Sequence, residues 1–339
     1  MDLKNLGARA RPSLPGGRRG LIRGAAVVAG VLVVLLVLVG WYWSREPDVF
    51  WVEWEKEGRP AVKGWATADT LVRVASTLLD KPGGYLTNDV TPPSVFLDNI
   101  PNWEFGVLIQ VRDMARVMRN DFSRSQTQST EDGDLAEAEP NFNFDNNSWI
   151  LPSSESRYRQ AIRHAENYRA RLAGDAQPDA RFFARADNLR EWLAVAEKRL
   201  GNLSQRLSAS VGQVRVNTDL AGDRAAEEAR RAGDNVIVKT PWLEIDDVFY
   251  EARGTAWALV HFLRAMEYDF RQVLEDKNAI VSLRQVIREL EASLQPMHSP
   301  MVLNGGGFGI FANHSLVMAS YLSRATQALT NLRELLGQG

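Results

Sequence analysis

Four carboxylates crowd the stretch "TPWLEIDDVFYEARGTAWALVHF", where Glu244, Asp246, Asp247 and Glu251 follow Thr240-Pro241. On a helix with Thr240 as cap and Pro241 as first residue, Asp247 and Glu251 are one turn apart on one face, and Glu244 lies a turn before Asp247. Paired carboxylates can hold a divalent ion or divide the roles of acid and base. Acids at the start of a helix are also what its dipole favours, with Arg253 nearby as partner, and that preference alone explains three of the four. Asp246, Asp247 and Glu251 are thus the catalytic candidates, each with a structural explanation beside it.

Other chemistries have less to stand on. The histidines are His164, His261, His298 and His314, with no H-E-x-x-H and no E-x-x-H spacing to build a zinc or di-iron site. His261 in "WALVHFLRAM" reads as a core or boundary histidine in apolar surroundings. The chain has no cysteine, which excludes disulfides, cysteine metal sites and thiol nucleophiles. "FDNNS" (Phe144–Ser148) offers oxygen ligands without the acidic spacing of a calcium loop. The glycine run Gly305–Gly309 lacks the Lys-Ser/Thr pair of a phosphate loop; it reads as a tight turn before a helix capped by Asn313 or Ser315. The sequence therefore calls for no metal and no cofactor.

The elements that would position these residues begin with an anchor. "GAAVVAGVLVVLLVLVGWYW" (Gly24–Trp43) has no charge and, as a helix, spans roughly 30 Å, the thickness of a bilayer's hydrocarbon core. Lys4, Arg9, Arg11, Arg18, Arg19 and Arg23 precede it, opposed only by Asp2. The positive-inside rule then puts residues 1–23 in the cytoplasm and all that follows the span on the other side. Bulky residues in "VGWYWSR" argue against a cleaved signal peptide, and the strongly apolar run argues against a twin-arginine address at Arg18-Arg19. Trp41, Tyr42 and Trp43 are placed at the headgroup level. Within the juxtamembrane segment 44–64, Phe50, Trp51 and Trp54 either pack on the soluble domain or lie on the membrane as a shelf. Glu53, Glu55 and Glu57 would be repelled by anionic lipid, which favours packing.

Of 40 basic and 42 acidic residues, six basic and one acidic precede Trp43, so the outer part carries a net charge of −7. That balance excludes a phosphate-neutralising nucleic-acid binder. About 295 residues are ample for a core. Apolar heptads run through Phe182, Ala186, Leu189, Leu193, Ala196, Leu200, Leu203 and Leu207, and again through Met318, Leu322, Ala325, Leu329, Leu332 and Leu336. A third seam runs from Ile280 to Leu294, and Val248, Ala252, Leu259, Phe262 and Met266 give a fourth helix its inner face. Thr67–Leu79, Asn102–Ser125 and Ser154–Leu172 are shorter helices, and Asn235–Lys239 is the only strand signal. The fold class is mainly α: one N-terminal transmembrane helix (24–43), then a bundle-like domain of long helices over 65–339 with extended aromatic and Gly-Pro loops. Solvated, mobile links are expected near 126–138 and 217–235.

Three loops are too rich to be spacers: Asp80–Gly106, Ala138–Glu155 and Leu303–Ser315. They bring Tyr85, Trp103, Phe144, Trp149 and Phe308, which are candidate contacts for a ligand or partner. With Val238–Phe262, these stretches resemble a family of bacterial inner-membrane proteins catalogued only as a domain of unknown function. The likeness runs from about Trp65 to Gly339 and includes the single span. It implies a Gram-negative bacterium, an inner-membrane anchor and a periplasmic domain, and brings no activity or catalytic residue. Three functions follow. The first is a non-enzymatic scaffold or interaction protein of the cell envelope, touching the bilayer and a protein partner. The second is a periplasmic module for a lipid, glycan or peptide under the aromatic loops. The third is an envelope hydrolase using the helix carboxylates.

Overall fold

The computed structural model describes residues 18–51, 62–126, 129–174, 179–216, 235–299, 301–307 and 309–338. Among these, ten α-helices and one small antiparallel sheet form the regular structure. The first helix, α1 (Arg18–Trp43), is exposed from Gly20 to Val39, and its stretch Gly20–Trp43 is long and apolar enough to cross a membrane.

The helical domain is built round α7 (Ile245–Asp269), whose middle is buried on every side. Small residues make that possible. The helix α3 (Asn99–Val117) crosses α7 so closely that a Cβ on Gly254 would lie 2.0 Å from the Trp103 carbonyl oxygen. One on Gly106 would lie 2.1 Å from that of Glu251. On one side of this crossing α2 (Trp65–Asp80), α4 (Gly133–Phe142) and α5 (Ser154–Ala173) pack together. On the other, α6 (Ala186–Ser208) lies along α10 (His314–Gly337), joined by α9 (Ile280–Ser293) and the short α8 (Arg271–Asp276). The heptad leucines of α6 and α10 are the buried face of that pair, as their spacing predicts.

Buried polar groups tie the helices to the loops. Asp269, at the end of α7, accepts from the Gly64 and Thr67 amides at 2.9 and 2.7 Å and so caps the start of α2. Glu104 on α3 forms a fully buried pair with Lys81 at 2.5 Å and accepts from the amides of Leu86 and Thr87. The loop 80–98 is therefore folded around a charge. Asn313 caps α10, accepting from the Leu316 amide at 2.8 Å.

Two expectations need correction, and a third lies almost wholly outside the described residues. Thr240-Pro241 does not open α7: Thr240 bonds back to Ala209 and Arg206 at the end of α6, Pro241 is extended, and a 3-10 turn (Trp242–Glu244) intervenes before Ile245. The described part of the expected link 126–138 is not simply solvated, because α4 begins at Gly133. Asp132 caps it, Arg171 binds Asp132 and Asp134, Arg119 binds Glu131, and Leu135 and Ala138 are buried. Of the expected link 217–235, residues 217–234 lie outside the described residues. They join the paired strands β1 (Gln213–Val216) and β2 (Asn235–Val238), the first of which composition did not flag.

Candidate functional site

Residues 44–51, which join α1 to the domain, form a docked seam along α7. Glu46 receives the guanidinium of Arg253 at 2.7 Å, and the same guanidinium donates to the carbonyls of Ser293, Leu294 and Gln295 at the end of α9. One turn further, Trp257 donates its indole N–H to the Asp48 carbonyl at 3.2 Å. Another turn on, the Phe50 amide donates to His261 Nε2 at 3.1 Å, and Arg264 donates to the Phe50 carbonyl at 3.3 Å. The spacing Arg253, Trp257, His261 is i, i+4, i+8, so one face of α7 reads every second residue of an extended linker.

The aromatic crowding now has a physical use. The Phe50 ring stacks on His261 with centroids 3.8 Å apart and meets Trp257 edge-on at 5.8 Å, and the Arg73 guanidinium lies 4.3 Å over its other face. Trp51 carries Arg264 at 3.5 Å. His261 donates from Nδ1 to the Trp257 carbonyl and accepts at Nε2, so it is held as one neutral tautomer. Burial pushes its pKa down to about 3. Expected as a core or boundary histidine, it is the pivot of the seam. Trp54, with Glu53, Glu55 and Glu57, lies outside the described residues.

The helix α1 itself touches the domain before it ends. A Cβ on Gly40 would meet Pro93 and Leu97 at 3.5 and 3.6 Å, and the Trp43 ring packs on Gly83, where a Cβ would lie 2.8 Å from the ring and the φ of +86° favours glycine. Trp41 and Tyr42 remain exposed, with Arg45 over the Trp41 ring. Trp43, expected at the headgroup level, thus also makes a contact with the domain.

The carboxylates are held apart. Asp247 accepts from Asn102 Nδ2 at 2.6 Å, whereas Glu251 is bidentate with Arg206 at 2.8 Å. Desolvation, then repulsion from Asp246 and Asp98, pushes Asp247 up to about 6, and burial also raises Asp246. Asp98 on the preceding loop joins this group and was invisible in the local pattern. Among the described residues no three His, Asp or Glu side chains converge as a metal site would require.

Among the described residues, the aromatic candidates do not form a shared pocket. Trp103 is fully buried against Trp257, and Tyr85 is buried edge-on to Tyr158 with its hydroxyl on the Asn146 carbonyl. These two fill the core and present no ligand surface: Trp103 is on α3 at its crossing with α7 and not in a loop as expected, and the loop of Tyr85 folds inward onto Glu104. Phe144 is half-buried, its carbonyl held by Arg112; Trp149 is exposed, and Phe308 lies outside the described residues. Two surface clefts occur elsewhere. One of about 390 Å³ lies between α7, α9 and α10 with Arg253, Met297, His314 and Tyr321 in its wall. One of about 330 Å³ lies at the far end of α7 beside Asp269.

A family described as "Uncharacterized protein conserved in bacteria (DUF2333)" matches residues 17–339, and the chain belongs to it. No curated protein and no solved structure matches the chain.

Proposed function

We propose that this member of an uncharacterised bacterial family is a single-pass protein of the inner membrane. Its N-terminus is cytoplasmic, and its periplasmic helical domain is a non-enzymatic scaffold held at a fixed attitude to the bilayer. The docked seam carries this reading. A flexible tether of eight residues would let its ends wander over roughly 16 Å. Here Glu46, Asp48 and Phe50 are each held by α7, a design that suits presentation of a surface better than free reach. The arginines before the span support the orientation. Gly40 and Trp43, built into contacts with Pro93, Leu97 and Gly83, support an anchor kept in the mature protein.

The absence of cysteine makes topology simple to test. A cysteine at Arg9 should resist a membrane-impermeant maleimide in spheroplasts, and one at Val281 should react; the reverse pattern would overturn the orientation. For the scaffold role, photo-crosslinking probes at Val281 and Val317, both exposed, are placed in intact cells. A discrete, reproducible polypeptide adduct is expected. Failure of both sites to yield any protein adduct would defeat the scaffold reading.

A further inference from the structure

Outside α1, the large apolar side chains left exposed gather at one end of the domain, the end where the span enters. Among the described residues Trp51 and Val281 lie elsewhere, and Val317, in the first turn of α10, borders the set. Phe96 is 77 % exposed and Leu151 90 %, while Trp242 and Leu243 are each 75 % exposed. Scattered single apolar residues need no explanation, but a set confined to one end of a bundle does.

Contacts fix this end relative to the span. Pro93 and Leu97 flank Phe96 and touch Gly40, one turn before α1 ends, so the loop bearing Phe96 stands level with the last turn of the membrane helix. The loop bearing Ile150 and Leu151 is joined to it where Asn88 donates to the Ser148 carbonyl at 2.7 Å. Trp242 and Leu243 precede the first turn of α7, which Asn102 ties to the same corner through Asp247. The glycine loop, with Ile310 99 % exposed, reaches this end where His314 meets Phe249. α7 then leads away: from Tyr250 to Asp269 it rises roughly 28 Å, and Val281 opens the first turn of α9 beyond it.

The geometry points to a second membrane contact: these loops, led by Phe96, Ile150, Leu151, Trp242 and Leu243, dip into the headgroup–acyl boundary around the span, so the domain lies on the bilayer instead of standing off it. The polar residues bordering the loops include Asp89, Asp98 and Asp145, and no lysine or arginine lies within 89–98 or 143–152. The contact is therefore apolar insertion into a lipid surface and not attraction to anionic headgroups. This inference rests on the proposed anchoring and names the surface that anchoring brings to the lipid.

The test uses the full chain in phosphatidylethanolamine–phosphatidylcholine proteoliposomes, with single nitroxide labels at Leu35→Cys, Phe96→Cys, Ile150→Cys, Leu243→Cys and Val281→Cys. Power saturation compares access to oxygen, which concentrates in lipid, with access to a water-soluble nickel chelate. Positions 96, 150 and 243 should side with Leu35, with an oxygen-to-nickel ratio at least about fivefold above that at Val281, as burial to the acyl boundary implies. If those three match Val281 while Leu35 reports lipid, the second contact is wrong and the anchor stands. If Leu35 itself reports water, the anchoring fails and takes the inference with it.

Discussion

Replacing Phe50 with alanine should open the seam without unfolding the domain. The ring is half-buried, so its transfer contribution is about 1 kcal/mol, roughly half that of a fully buried side chain. Its stacking on His261 and edge contact with Trp257 add about 1 kcal/mol together, and Arg73 over the other face about 0.5 more, giving roughly 2.5 kcal/mol. At 1.36 kcal/mol per tenfold change, the undocked population should rise on the order of 70-fold. The backbone bonds of residue 50 to His261 and Arg264 are chemically retained in the variant, so its amide reports docking directly. Hydrogen exchange by mass spectrometry on the full chain in nanodiscs should show peptides covering 46–51 exchanging faster by that order, with Val107–Met114 in buried α3 much less affected. An exchange rate over 46–51 within threefold of wild type would refute the docked seam as an energetic unit.

Three further outcomes follow from the same contacts. His261 titrates near 6.5 when unfolded and about 3 when folded, so its contribution is present above pH 6.5 and is lost as pH falls through that window. In His261→Gln the stability deficit measured by urea at pH 7 should therefore narrow at pH 4; a constant deficit would contradict the neutral tautomer. Asp247 is the opposite case: its pKa is raised to about 6, so the folded state loses stability as pH rises from about 4 to 6, and Asp247→Asn should gain about 1 kcal/mol at pH 7 after allowance for its exposure, or about 3 °C in Tm. A loss of stability would show that the charge itself is needed. Gly254→Ala would place a Cβ 2.0 Å from the Trp103 carbonyl oxygen, contact between two backbones that no rotamer change relieves. It should cost more than about 3 kcal/mol and prevent accumulation of folded protein, which circular dichroism and expression yield would report.

Much of the fold was legible because its signals are periodic and long. Leu189, Leu193, Leu200, Leu203 and Leu207 announce a buried helix face in any context, and all five are buried here. The buried charges were not legible. Nothing near Glu104 predicts Lys81 beneath it, and Asp269 finds its amides some two hundred residues earlier in the chain. α4 misled for a related reason: its acid-rich sequence looks solvated until Arg119 and Arg171 arrive from other helices. At the candidate site, the aromatic cluster and His261 were each conspicuous, but that one stacks on the other depends on a crossing of 211 positions in sequence.

The two surfaces of the juxtamembrane region do different physical work. Phe50 faces a guanidinium, an imidazole and an indole, partners that hold it at defined distances and directions. The exposed set at the span-proximal end has no such partners, and its contact with lipid would be non-directional. A non-directional contact cannot set the attitude of a domain by itself, since the bundle could roll on it. The seam supplies what that contact lacks: Glu46, Asp48 and Phe50 are gripped at successive turns of one helix, so the axis of α7 is fixed relative to the end of α1. Losing the seam should therefore broaden the domain's orientation while leaving it on the bilayer, whereas losing the apolar loops should lift that end while the span and seam hold. Dipolar distances from a label in α1 to Val281 would separate the two effects, broadening in Phe50→Ala and staying narrow in a Phe96→Asp, Ile150→Asp variant.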